Sequence, residues 1–260
     1  MEGPSGVVAL VLAETAAGGA ALLWLTGLWG KVRRGFFILT GSVALLCSAL
    51  ATLSATAAID GPVSGALRVS VLLTASTTAL LGVSLAALVV RADAVGFAAG
   101  VLSVPTAVAM LVALAAISGP SFASAVAQLL AGAAFMGAAI DGLLLGHWYL
   151  VDRKLGRGPI GRYTVLLIAA VLLEGIAVAL LGFGESSVAG PGFSPFLGIA
   201  GVSTWLALGM VVCTGLIALL IRASLRTPRS RAVQAATGFF YLAVITAFTA
   251  EMAAKVGFLS

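Results

Sequence analysis

The chain has 260 residues; 61% are hydrophobic and only 9% charged, against roughly 25% charged in an ordinary soluble domain. A folded globule of this size cannot hide so much apolar surface behind a polar skin, so the composition excludes a soluble enzyme, a disordered chain and a coiled coil. It leaves an integral membrane protein with the bilayer as its solvent. The sequence pI of 9.8 does not signal nucleic-acid binding. The basic residues sit in short loops between apolar segments, where membrane orientation accounts for them.

Eight apolar runs bounded by charges or by Gly/Pro breaks predict spanning helices at 6–28, 36–59, 68–90, 96–117, 122–150, 163–183, 196–221 and 233–257. The first has no basic segment before it and is too long for a cleaved signal peptide. It carries Glu14 about eight residues in, roughly 12 Å at 1.5 Å per residue. The loop after it holds Lys31, Arg33 and Arg34. The second helix carries Cys47. Arg68 stands near the start of the third, and Arg91 lies between the third and fourth.

The fifth helix is the most distinctive. Asp141 precedes the string Gly142-Leu-Leu-Leu-Gly146-His147-Trp148-Tyr149. Gly142 and Gly146 form a GxxxG face suited to close helix packing. His147, Trp148 and Tyr149 read either as an interfacial aromatic belt or as contacts to a lipid or quinone headgroup. Asp141 and His147 are six apart and do not share a helix face, so a direct relay between them is not expected. Arg153, Lys154, Arg157 and Arg162 follow.

The sixth helix carries Glu174 near mid-depth, and the segment 182–195 reads as a Gly/Ser/Pro-rich loop. The seventh helix holds Cys213, expected to be a small buried hydrophobe like Cys47, and is followed by Arg222, Arg226, Arg229 and Arg231. The eighth carries Glu251 and Lys255, spaced to pair along one face. Lysines and arginines thus fall in alternate loops, 12 of the 14 on one side. This predicts cytoplasmic loops 1–2, 3–4, 5–6 and 7–8 in a cell membrane, with both termini outside.

Ionisable groups inside a membrane are costly and are functional candidates by default. Desolvation disfavours the charged form of a carboxyl. Glu14, Glu174 and Glu251 therefore suit a proton path or the protonic half of quinol chemistry; equally, each can be a hydrogen-bonded tie between helices. One histidine cannot give bis-histidine haem ligation, and two separate cysteines cannot hold an iron–sulfur cluster or form a CxxC motif. Helices 3–4 and 7–8 share a pattern of span, arginine-led loop and span, which suggests a duplication into halves 1–120 and 121–260 and two parallel four-helix bundles within a single transmembrane domain.

Two stretches carry resemblances. Glu251-Met-Ala-Ala-Lys255-Val-Gly-Phe258 resembles the retinal-lysine helix of microbial rhodopsins, but no Arg-Tyr-x-Asp-Trp counterion helix accompanies it. The better match is to the membrane-anchor subunits of DMSO-reductase and polysulfide-reductase complexes (the DmsC/NrfD-like superfamily). Pro4, the run 7–13, Glu14 and Gly18 resemble the opening of their first helix, and Glu251 with Lys255 the end of their last. The resemblance implies a haem-free protein of eight or more helices, with a menaquinone or ubiquinone site near the outer face, beside iron–sulfur and catalytic partner subunits. The expected function is then the quinone-reactive subunit of a respiratory oxidoreductase, with no redox cofactor of its own. Two alternatives stay open, a proton-coupled small-solute carrier and a structural or assembly membrane protein. Glu14, Glu174, Glu251, Lys255, Asp141, His147, Trp148 and Tyr149 are the site candidates, and no metal site is expected.

Overall fold

A computed structural model describes residues 3–57, 65–117, 121–152, 154–182, 201–227 and 231–256. Among them are eight helices: α1 (Gly3–Gly27), α2 (Arg34–Ala57), α3 (Gly65–Val89), α4 (Asp93–Ala115), α5 (Phe122–Val151), α6 (Gly158–Leu181), α7 (Val202–Arg226) and α8 (Ala232–Val256). All eight are long and apolar enough to cross a membrane. The described residues contain no strand. In lipid a helix satisfies every backbone group within one segment, which is why an apolar run of this length folds this way. The protein is an all-α multi-pass membrane protein.

Most of the helices begin before the hydropathy boundaries, where their polar N-terminal ends reach past the apolar core. α1 begins at Gly3, so Glu14 stands eleven residues in, roughly 16 Å, deeper than the sequence reading placed it. α6 begins five residues early, with Pro159 in its first turn, where the missing N–H costs nothing. α7 runs on through Arg222 to Arg226, because long arginine stems can lie along apolar surface while their heads reach water. Its first described residue outside the helix, Gly201, has φ +78°, a left-handed conformation that suits glycine. The expected start at 196 and the loop from 183 lie outside the described residues.

α1 and α5 form the centre. Their spans are 78% and 72% buried, whereas the other six are only 33–39% buried. α1 packs on α2, α4, α5 and α8, and α5 on α1, α4, α6 and α8. Helices α1–α4 close a ring through α1–α2, α2–α3, α3–α4 and α1–α4; α5–α8 close one through the corresponding four pairings. Small residues permit the central contact. A Cβ on Gly18 would collide with the backbone of Ala133, and one on Gly137 with the backbone of Gly18, so α1 and α5 touch main chain to main chain. The GxxxG face of α5 meets α8: Gly142 accepts the ring of Phe240, and Gly146 the side chain of Thr237.

Basic loops gather at one end of the bundle. Arg34 pairs with Asp93 at 3.4 Å, Arg33 with Asp152 at 3.2 Å, and Arg157 donates to the Thr227 carbonyl at 2.9 Å. These contacts tie loops 1–2, 3–4, 5–6 and 7–8 together. Cys47 is half-buried, but Cys213 lies on the outer face of α7 and corrects the expectation of a buried thiol. Lipid is as apolar as a core, so hydropathy could not tell the two positions apart.

Candidate functional site: a buried carboxyl–ammonium cluster

Three helices bring Glu14, Glu174, Glu251 and Lys255 together. The Lys255 ammonium lies 2.8 Å from Glu14 Oε1 and 3.0 Å from Glu251 Oε2. All three side chains are fully buried, and Glu174 is 1% exposed. The Glu251–Lys255 pair follows from i,i+4 spacing on α8. The partnership with Glu14 depends on α8 packing against α1. Gly132 of α5 makes the space: a Cβ there would stand 2.6 Å from Glu14 Oε1 and 2.8 Å from Glu251 Oε2.

Glu174 of α6 joins them, its buried carboxyl lying beside Glu251. Among the described residues, no hydrogen-bond donor reaches Glu174 Oε2, Glu251 Oε1 or Glu14 Oε2. Three carboxylates and one ammonium would bury a net double negative charge in an apolar medium, at a cost of several kcal/mol per unpaired ion. A neutral cluster therefore carries two protons on its carboxyls.

Asp141 is not part of this group. It lies further along α5 toward the basic end, fully buried, and receives a hydrogen bond from the Tyr163 hydroxyl at 3.3 Å. That hydroxyl also stands 2.7 Å from Thr26 Oγ1 and 3.1 Å from the Leu22 carbonyl. Asp141 Oδ1 has no donor among the described residues and lies against Gly19, where a Cβ would be 3.5 Å away. Trp29 stacks edge-on against Tyr163, and the Arg162 guanidinium covers Trp29 at 5.1 Å.

The His147-Trp148-Tyr149 string disperses in three directions. His147 Nε2 meets the Tyr241 hydroxyl of α8 at 2.5 Å, on a surface where Tyr241 is exposed. Its Nδ1 faces the Leu143 carbonyl. Trp148 turns inward over Gly35 of α2. Tyr149 donates to the Gly156 carbonyl at 2.6 Å and anchors the 5–6 loop. Sequence reasoning missed Tyr163, Thr26, Tyr241 and Gly132. Tyr163 and Tyr241 are two of the three tyrosines in the chain, a signal that could have found them, but beside Arg162 Tyr163 reads as an interface residue.

The larger clefts described lie away from the cluster's centre. One of about 430 Å³ between α6 and α7 is wholly apolar, lined by Val171, Gly175 and Ala179 of α6 and Val211 and Val212 of α7. Leu172, Ile176 and Leu180 on its rim are exposed, so it opens outward from the bundle. Glu174 sits on the same turn of α6, directed to the inside. No protein-family model, no curated protein and no solved structure matches this chain.

Proposed function

We propose that this chain is a haem-free membrane subunit that handles the protons of quinone chemistry for an oxidoreductase complex. Glu14, Glu174, Glu251 and Lys255 are its proton store. The observation that carries the reading is the position of Glu174. One face of its helical turn lines an apolar cleft facing the bilayer, and its carboxyl joins the enclosed cluster. The cleft volume lies in the roughly 300–1,000 Å³ range of ligand sites and suits the ring and first isoprenoid units of a quinone. A quinol gives up two protons with its two electrons. In this reading the two protons pass one at a time to the single ionised carboxyl of the cluster, the first being released to the outer face before the second arrives. The electrons go to a partner iron–sulfur subunit at the same end of the bundle. The acids act as proton acceptors behind the cleft wall and do not grip the headgroup.

In the same reading the basic end faces the cytoplasm, both termini face outward, and the matching helix pairings of 1–120 and 121–260 reflect a duplication. The resemblance to DMSO-reductase-type anchors supports this placement. A small-solute carrier would call for a helix broken at mid-membrane, whereas the eight described helices are continuous. The test is purification from the native membrane followed by quinol-dependent electron transfer in Glu14→Gln and Glu174→Gln complexes. Co-purification with an iron–sulfur subunit and a rate loss of about 100-fold or more are expected, the scale of a lost acid–base group. Unchanged rates in both variants would leave the cluster as a packing tie and sink the proposal.

A further inference from the structure

We propose that the cleft between the C-terminal end of α5 and the N-terminal end of α8 is a binding site for the phosphodiester headgroup of an anionic phospholipid. This site is remote from the carboxyl cluster and does not depend on the proposed proton role. The cleft has a volume of about 480 Å³ and is lined by Gly146, Tyr149, Leu150, Arg157, Arg231 and Gln234, with Thr237 at its inner end. Its inner limit is set where α8 closes on α5, since a Cβ on Gly146 would be 2.5 Å from Thr237 Oγ1. Toward the loops the cleft is lined by Arg157 and Arg231, both exposed.

Each wall is held in place. The Tyr149 hydroxyl bonds the Gly156 carbonyl, which fixes the loop carrying Arg157. Arg157 in turn reaches the Thr227 carbonyl at the end of α7. The cleft is thus polar and cationic at its mouth and apolar along Leu150 and Val233 where it meets the bilayer face. That gradient matches an anionic amphiphile, whose phosphate would sit by the guanidiniums and whose glycerol and first acyl carbons would follow the apolar side. Basic pockets between spanning helices at a cytoplasmic face recognise anionic headgroups in this way, and guanidinium presents a planar fork to phosphate.

The surrounding charge favours the same ligand. Of the nine acidic residues, Asp93 and Asp152 lie at the basic end. They are engaged by Arg34 and Arg33. A second cleft of about 300 Å³ adjoins across Leu155 and carries Lys31, Arg33 and Lys154. The field at the mouth is therefore positive on both sides.

The experiment measures thermal stability and lipid retention of the purified full-length protein in phosphatidylcholine nanodiscs with and without phosphatidylglycerol. Phosphatidylglycerol should raise Tm, and native mass spectrometry should show retained anionic lipid. Arg231→Gln and Gln234→Glu should each weaken that binding about fivefold, on the scale of one surface charge near an anionic headgroup. Arg222→Ala removes a charge from the same end but outside the cleft, and should leave binding within about twofold. Equal losses in Arg222→Ala and Arg231→Gln would mean diffuse attraction and overturn the site. So would equal stabilisation by inorganic phosphate alone, which would mark a free-anion site, or no preference for phosphatidylglycerol over phosphatidylcholine.

Discussion

Lys255 is the only cation in contact with the Glu14 and Glu251 carboxylates among the described residues. Lys255→Met should therefore destabilise the protein by about 3–5 kcal/mol, the cost of leaving a buried charge uncompensated. The double variant Glu14→Gln/Lys255→Met should recover part of that loss, with a coupling of about 0.5–3 kcal/mol between the sites. Reversible unfolding of the single and double variants in one detergent checks both values; additive effects would mean the pair is not energetically linked. Tyr163→Phe removes the donor to Asp141 and should cost about 1–3 kcal/mol through the unsatisfied carboxyl. Each acid was conspicuous in the sequence because a charge in an apolar run has no ordinary explanation. Their convergence was not legible. α1 is apolar nearly all round, and hydropathy cannot say which of its sides meets α8 when protein and lipid offer equally apolar surroundings.

At the level of helices, the spans themselves could be read directly, because a bilayer imposes a minimum apolar length on anything that crosses it. The ends could not, since Arg162, Arg222 and Arg226 look like loop residues but extend helices. The two glycines of the α5 GxxxG motif did mark a packing face, with the partner supplied by Phe240 and Thr237 of α8. Gly18 was noted only as part of a terminal motif, yet it makes the closest approach between the two central helices. Gly18→Ala should therefore be severely destabilising, because its Cβ would meet main chain that cannot step aside. Gly209→Ala and Gly238→Ala face open space and should be neutral or slightly stabilising, by up to about 1 kcal/mol from helix propensity. Thermal denaturation of the three variants decides this; equal losses in all three would mean that the central crossing is not the tight one.

Across the described residues, polarity is divided between two ends: cations and loop contacts at one, the three buried glutamates displaced toward the other. If the basic end is cytoplasmic, a Cys47→Ser/Cys213→Ser protein carrying Arg157→Cys should react with a membrane-impermeant thiol reagent only in inside-out vesicles. Labelling in right-side-out vesicles would reverse the assigned orientation. The pairing of Glu14 with Lys255 also has a consequence in time. Glu14 belongs to the first described helix and Lys255 to the eighth, so the acid enters the membrane long before its ammonium is made. At about 5–20 residues per second, the interval across these eight helices is on the order of tens of seconds. During it the acid has no lysine partner and must stay protonated or sheltered by the insertion machinery. Arrival of α8 then supplies the partner that ties the first helix in place, and chains interrupted before α8 should remain open to quality-control proteolysis.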